Sequence, residues 1–170
     1  MAIPYSTKVM QHFLHPKNLG KIKNADGIGK VGNLRCGDVM WLYIKVGKNK
    51  SSKEIIKDIK FETFGCVAAL ATSSVITELA KGKTLDQALK INRSKIVKNL
   101  GGLPLIKIHC SVLAVDALEE AVYDYLKKNK KEISPDLQKK HEIILKSKEV
   151  IEDRYHDWTD LEEKLHQKND

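Results

Sequence analysis

Apolar and polar positions follow two periods along this chain. From Val39 to Val46 they alternate, with Val39, Trp41, Tyr43 and Lys45 on one face and Met40, Leu42, Ile44 and Val46 on the other. Period two over that length predicts a half-buried strand. Ile55 to Phe64 reads the same way, with Ile55, Ile59, Phe61 and Thr63 set against Ile56, Phe64 and polar neighbours. The short connection Gly47 to Ser52 makes the two an antiparallel hairpin. Helical spacing governs the rest. Tyr5 to Phe13 is a short helix that Ser6 can cap, with a stripe of Tyr5, Val9, Met10, Phe13 and Leu14. Val67 to Ala80 is a second helix, closed by Lys81-Gly82-Lys83. Thr84-Leu85-Asp86-Gln87 is a capping box opening a short helix to Lys90, and Asn92 to Leu100 is another short piece. His109 to Tyr125 is the last core helix, with Val112, Val115, Leu118, Ala121, Val122 and Tyr125 as its apolar face.

Two stretches fall outside this pattern. Gly27-Ile28-Gly29-Lys30-Val31-Gly32 matches the dinucleotide fingerprint literally, but no buried strand precedes it and no helical pattern follows. A loop or extended segment is expected there, with Ile28 to Val31 as a candidate third strand. Beyond Lys127 the sequence becomes a charged tail. Ser134-Pro135-Asp136 starts a helix, Leu137, Ile144, Ile151 and Trp158 recur every seven residues, and Thr159-Asp160-Leu161-Glu162 is a further capping box. The expected organisation is an α+β domain over residues 1–126, with a small antiparallel sheet of about three strands covered by helices. A helical C-terminal extension covers 127–170.

Charge refines the picture. The chain carries a net +8, and residues 127–170 balance to zero, so the excess belongs to the first 126. Its lysines are scattered rather than gathered into a basic block with aromatics, so a lysine-rich surface is the better reading than a nucleic-acid interface. No apolar run approaches the roughly 20 residues of a membrane span. The N-terminal apolar residues are broken by Gln11, His12, His15 and Lys17, which is unlike an export signal, so a cytoplasmic location is expected. Three cysteines in such a chain are expected to be reduced thiols used for packing, metal binding or catalysis.

All three cysteines stand at structural transitions. Cys36 lies in Arg35-Cys36-Gly37-Asp38, where a thiol and a carboxylate flank a glycine. Cys66 follows Gly65 at the end of the second strand, and Cys110 follows His109 at the start of the last core helix. At a helix N-terminus the dipole and unpaired N–H groups favour the thiolate, the form that binds metal or attacks sulfur. Three thiolates with a nitrogen from His109 or an oxygen from Asp38 could make a tetrahedral site for zinc or an iron–sulfur cluster. With no C-x-x-C pair, the residues alone leave burial of small side chains open as the alternative.

Three segments carry a resemblance. Val31-Gly32-Asn33-Leu34-Arg35-Cys36-Gly37-Asp38-Val39-Met40, Phe61-Glu62-Thr63-Phe64-Gly65-Cys66 and Lys107-Ile108-His109-Cys110-Ser111-Val112-Leu113-Ala114 resemble, in order and spacing, the signature segments of the IscU/NifU-type iron–sulfur cluster assembly scaffolds. The similarity runs from about Tyr5 to Tyr125. The close setting of Cys66 and Cys110, with His109, is more similar to the IscU branch than to the zinc-containing SufU branch. The resemblance implies a small antiparallel sheet covered by helices with the site at one end. It implies a scaffold rather than an enzyme: a cysteine desulfurase delivers persulfide sulfur, iron arrives separately, and a 2Fe–2S cluster is built and handed to apo-acceptor proteins. By motif, Cys36, Cys66 and Cys110 are ligands, Asp38 or His109 completes the set, and Cys110 receives the persulfide. Asp38 matches the residue whose carboxylate makes the cluster labile, since oxygen is a poor match for iron that prefers thiolates. The same residues could hold zinc in the cluster-free form.

Two positions depart from the family pattern. Val67 replaces the usual glycine after the middle cysteine, which stiffens that turn. Leu103-Pro104-Leu105-Ile106-Lys107 lacks the second proline of the family's L-P-P-V-K chaperone-recognition segment, so the implied Hsp70-type chaperone partner rests on a weakened motif. The alternative function is a zinc-binding sulfurtransferase partner of a desulfurase. Neither reading involves nucleic acid or a membrane.

Overall fold

A computed structural model describes residues 5–32 and 37–147. Cys36, Ile151, Trp158 and the second tail capping box lie outside the described residues. Ser6 caps helix α1 (Thr7–Leu14), accepting from Val9 N–H at 3.1 Å, and its hydroxyl donates to the Leu100 carbonyl. Three antiparallel strands follow: β1 (Gly27–Gly32), β2 (Val39–Lys48) and β3 (Glu54–Phe64), with β2 in the centre. Helices α2 (Val67–Ala80), α3 (Leu85–Ala88), α4 (Arg93–Asn99) and α5 (Ile108–Lys128) complete the core, a 3-10 turn at Leu105–Lys107 leading into α5. The capping box predicted at Thr84 forms with Gln87. A tail helix, α6, begins after Ser134 and is described over residues 135–147.

The candidate third strand forms and runs from Gly27 to Gly32, and its glycines explain the missing apolar pattern. A Cβ on Gly29 would lie 2.0 Å from the Ala117 carbonyl oxygen, and one on Gly27 would lie 2.2 Å from that of Ala121. Backbone of α5 therefore fills the buried positions that side chains fill elsewhere. The phase of β3 also differs from strict alternation. The pairing shifts between Lys45 and Val46, where Asp58 and Ile56 are the successive partners, so Lys57 is the extra residue of a bulge. Ile56 thus joins Ile59 and Phe61 in the core instead of facing away from them.

Helix α2 is buried on nearly every side, which a single apolar stripe does not predict. Its hydroxyls make this tolerable, because each finds a partner. Ser73 donates to the Ala69 carbonyl at 2.7 Å and Thr77 to that of Ser74 at 2.7 Å. Ser74 accepts from Lys17 N–H at 2.8 Å and pairs with His12 Nδ1 at 2.8 Å, while Asn18 donates to Thr77 at 2.9 Å. These bonds tie the N-terminal segment over α2. The tail helix packs on α5 through buried Leu137 and Ile144, an ion pair of Lys140 with Glu119 at 2.8 Å, and His141, which meets Glu120 at 2.8 Å and stacks on Tyr123 at 3.8 Å. Among the described residues no helix is long and apolar enough to cross a membrane.

Candidate metal centre

Asp38, Cys66 and Cys110 come from three different elements and meet at one end of the sheet. Asp38 immediately precedes β2, following Gly37, whose φ of +69° suits glycine. Cys66 is the N-cap of α2, and Cys110 lies in the first turn of α5. Both thiols donate to the same carboxylate oxygen, Asp38 Oδ2, from 3.7 Å and 3.6 Å, and the two sulfurs are 3.7 Å apart. Asp38 and Cys110 are buried and Cys66 is half-buried. His109 stands beside them: one donor atom each from Asp38, His109 and Cys110 lies within 4.8 Å of the others. Its Nε2 is buried and has no hydrogen-bond partner among the described residues.

The triangle has the dimensions of one face of a metal-centred tetrahedron. With metal–sulfur bonds of about 2.3 Å and a metal–oxygen bond of about 2.0 Å, tetrahedral angles give S···S near 3.8 Å and S···O near 3.5 Å. The observed separations differ from these by no more than about 0.2 Å. A fourth donor would sit opposite that face. His109 is a candidate for it, since a buried imidazole nitrogen without a partner is costly unless something occupies it.

The surroundings hold this arrangement. A Cβ on Gly65 would be 2.9 Å from Asp38 Cγ and 3.0 Å from its Oδ1, so only glycine leaves room for the carboxylate. Thr72 donates to the Cys110 carbonyl at 3.1 Å and so links α5 to α2 behind the thiols. Two residues that sequence reasoning passed over also border the site. The Cys66 sulfur, in its charged form, pushes the Lys107 ammonium above its ordinary range. Burial, with added repulsion from Cys66, does the same to the Tyr5 hydroxyl. The position of Lys107 just before α5 was visible in the sequence; that of Tyr5 depends on how α1 lies over α2. Cys36, the remaining sequence candidate, lies outside the described residues.

Fold and side chains together define a small α+β protein in which two thiols and a carboxylate meet at one end of the sheet. The NifU-like N terminal domain family matches residues 4–132, and the chain belongs to that family. An Archaeoglobus fulgidus protein named iron–sulfur cluster assembly scaffold protein IscU 1 is 58% identical over 127 residues, 75% of this chain and 80% of that one. The Aquifex aeolicus iron–sulfur cluster assembly scaffold protein IscU is 44% identical over 128 residues, 75% of this chain and 80% of its own length. The crystal structure of the N-terminal part of a nitrogen-fixing NifU-like protein from Brucella abortus has the same fold, with a TM-score of 0.55 at 17% identity over 74% of this chain and 96% of that one.

Proposed function

We propose that this chain is an iron–sulfur cluster assembly scaffold that builds a 2Fe–2S cluster and passes it to apo-acceptor proteins. The observation carrying this reading is the triangle of Cys66, Cys110 and Asp38 at tetrahedral spacing, beside a buried His109 Nε2 that has no hydrogen-bond partner among the described residues. The relatives named as scaffolds supply the class of cargo. Cys36, Cys66 and Cys110 bind the cluster, with Asp38 or His109 as the fourth ligand. Residues 1–126 form the scaffold unit, residues 127–170 are appended to it, and the work is done in the cytoplasm.

Sulfur arrives as a persulfide on a cysteine desulfurase. The Cys110 thiolate attacks the outer sulfur, the S–S bond to the donor breaks, and the donor cysteine leaves as a thiolate. The new persulfide stays at Cys110 until an external electron donor reduces its outer sulfur to sulfide beside iron. Lys107 stabilises the anions that this exchange creates near Cys66. The Asp38 carboxylate supplies one hard ligand among soft ones, which lowers the barrier to release. Nothing here is a turnover of small substrate; the protein is loaded and emptied, and does not act as an enzyme.

The test is metal and acid-labile sulfide on anaerobically purified protein, before and after incubation with iron, cysteine and a desulfurase. Iron and sulfide in matched amounts, with visible absorption lost in Cys36→Ser, is the expected result. Tight zinc that iron does not displace, with no sulfide retained, would replace this reading with the zinc-dependent sulfurtransferase.

A further inference from the structure

Two thiols in contact can do more than hold a metal. Cys66 Sγ and Cys110 Sγ are 3.7 Å apart, close to the roughly 3–3.5 Å of a near-attack arrangement. Each stands at the start of a helix, Cys66 as the N-cap of α2 and Cys110 in the first turn of α5. Thr72 of α2 ties these helices together through its bond to the Cys110 carbonyl. A disulfide needs its sulfurs at about 2.05 Å, which leaves about 1.7 Å to close.

The two sulfurs are not equivalent. Cys110 is 1% exposed, whereas Cys66 is half-buried. The Lys107 ammonium borders Cys66, whose sulfur is the main cause of its raised pKa. The positive end of α2 faces the same sulfur. Positive charge on two sides suits Cys66 as the attacking sulfur and leaves Cys110 as the one attacked.

The proposed function places a persulfide on Cys110. Its inner sulfur is Cys110 Sγ itself, the atom in contact with Cys66. On that reading, we propose that Cys66 is the first reductant of the persulfide: its sulfur attacks Cys110 Sγ, the bond to the outer sulfur breaks, and hydrosulfide leaves as a Cys66–Cys110 disulfide forms. One persulfide anion and one thiol become one disulfide and one hydrosulfide ion. The Cys66 sulfur is oxidised to the disulfide level, the outer sulfur is reduced to sulfide, and Cys110 stays at the disulfide level throughout. The Cys66 proton ends on the hydrosulfide, and Asp38 Oδ2, which accepts from both thiols, lies on its route. Well-oriented neighbouring groups reach effective molarities of about 10⁵ M or more, so Cys66 outruns any free thiol in solution. The external electron donor then acts on the disulfide. A dithiol attacks the more exposed sulfur, Cys66, leaves as its own disulfide and returns both cysteines to thiols.

The full chain, purified anaerobically, loaded by a resin-bound desulfurase with cysteine and then freed of both, tests this with no reductant added. Hydrosulfide is trapped by a bimane reagent as its bis-adduct, and disulfides and persulfides are mapped by peptide mass spectrometry. Hydrosulfide and the Cys66–Cys110 disulfide are expected in equal amounts in the unmutated chain, a ratio that depends on no variant. In Cys66→Ser the persulfide should stay on Cys110 at least about tenfold longer, while Cys36→Ser should still yield disulfide and hydrosulfide together. Equal persulfide lifetimes in the unmutated chain and Cys66→Ser would overturn the proposal. So would hydrosulfide released without a Cys66–Cys110 disulfide. A Cys66→Ser chain that never carries persulfide on Cys110 would instead overturn the sulfur-acceptance reading beneath it.

Discussion

Asp116 gives the sharpest quantitative expectation. It lies on α5, one turn before Glu119 and Glu120, facing Lys140 of the tail helix. Burial, reinforced by the Glu119 charge, pushes its carboxyl from an ordinary 3.8 up to about 6, against the pull of Lys140. The folded protein therefore binds this proton more tightly than the unfolded chain does. Stability falls as pH rises from about 4 to about 6, and the whole penalty is present above that window. Two units correspond to about 3 kcal/mol. Partial exposure of the side chain brings the expected value nearer 2 kcal/mol. Asp116→Asn keeps the shape and removes the charge. It should raise the unfolding free energy by about 2 kcal/mol at pH 7.5, or Tm by about 4–8 °C, and change almost nothing at pH 4. Urea denaturation followed by circular dichroism at both pH values measures the difference. Equal gains at the two pH values, or a loss at pH 7.5, would refute the reasoning and mean that attraction to Lys140 exceeds the cost of burial.

Three further outcomes are expected. Gly29→Ala should destabilise by about 3 kcal/mol, because strand and helix backbones must part; Gly47→Ala, which meets only the flexible Lys57 side chain at 3.1 Å, should cost far less, and paired denaturation curves compare them. Asp38→Ala should lengthen the life of a bound cluster, read as slower transfer to an apo-acceptor; an unchanged transfer rate removes Asp38 from that role. Cys110→Ser should abolish persulfide transfer from a desulfurase; undiminished persulfide by mass spectrometry would move acceptance to Cys36 or Cys66.

Much of the fold could be read from residue order because its signals are local. The Thr84 capping box, the Ser6 cap and the bounds of α2 depend on neighbours a few positions away, and they form as expected. Signals that failed were those that depend on another element. The glycines of β1 look like a loop until α5 is laid across them. The bulge at Lys57 moves Ile56 inward, and no alternation rule anticipates it. At the site, the motifs named Asp38, Cys66, His109 and Cys110, and the fold brings these four together. The space that Gly65 leaves for Asp38 and the approach of Tyr5 appear only once the chain is folded.

Asp38, Cys66 and Cys110 stand just before β2, at the N-cap of α2 and in the first turn of α5, and their side chains meet at one point. On the proposed function, cargo bound there cross-links the sheet and two helices. Its binding free energy adds directly to the stability of the fold, by about 2.7 kcal/mol at a hundredfold excess over the dissociation constant. The reverse also holds: any local opening that separates one of these segments loosens the cargo by the same amount. Occupancy can then be followed without looking at the metal at all, as a change in resistance to proteolysis or in amide exchange along the first turns of α2 and α5. An acceptor could extract the cargo by prying one helix end, without competing for every bond at once.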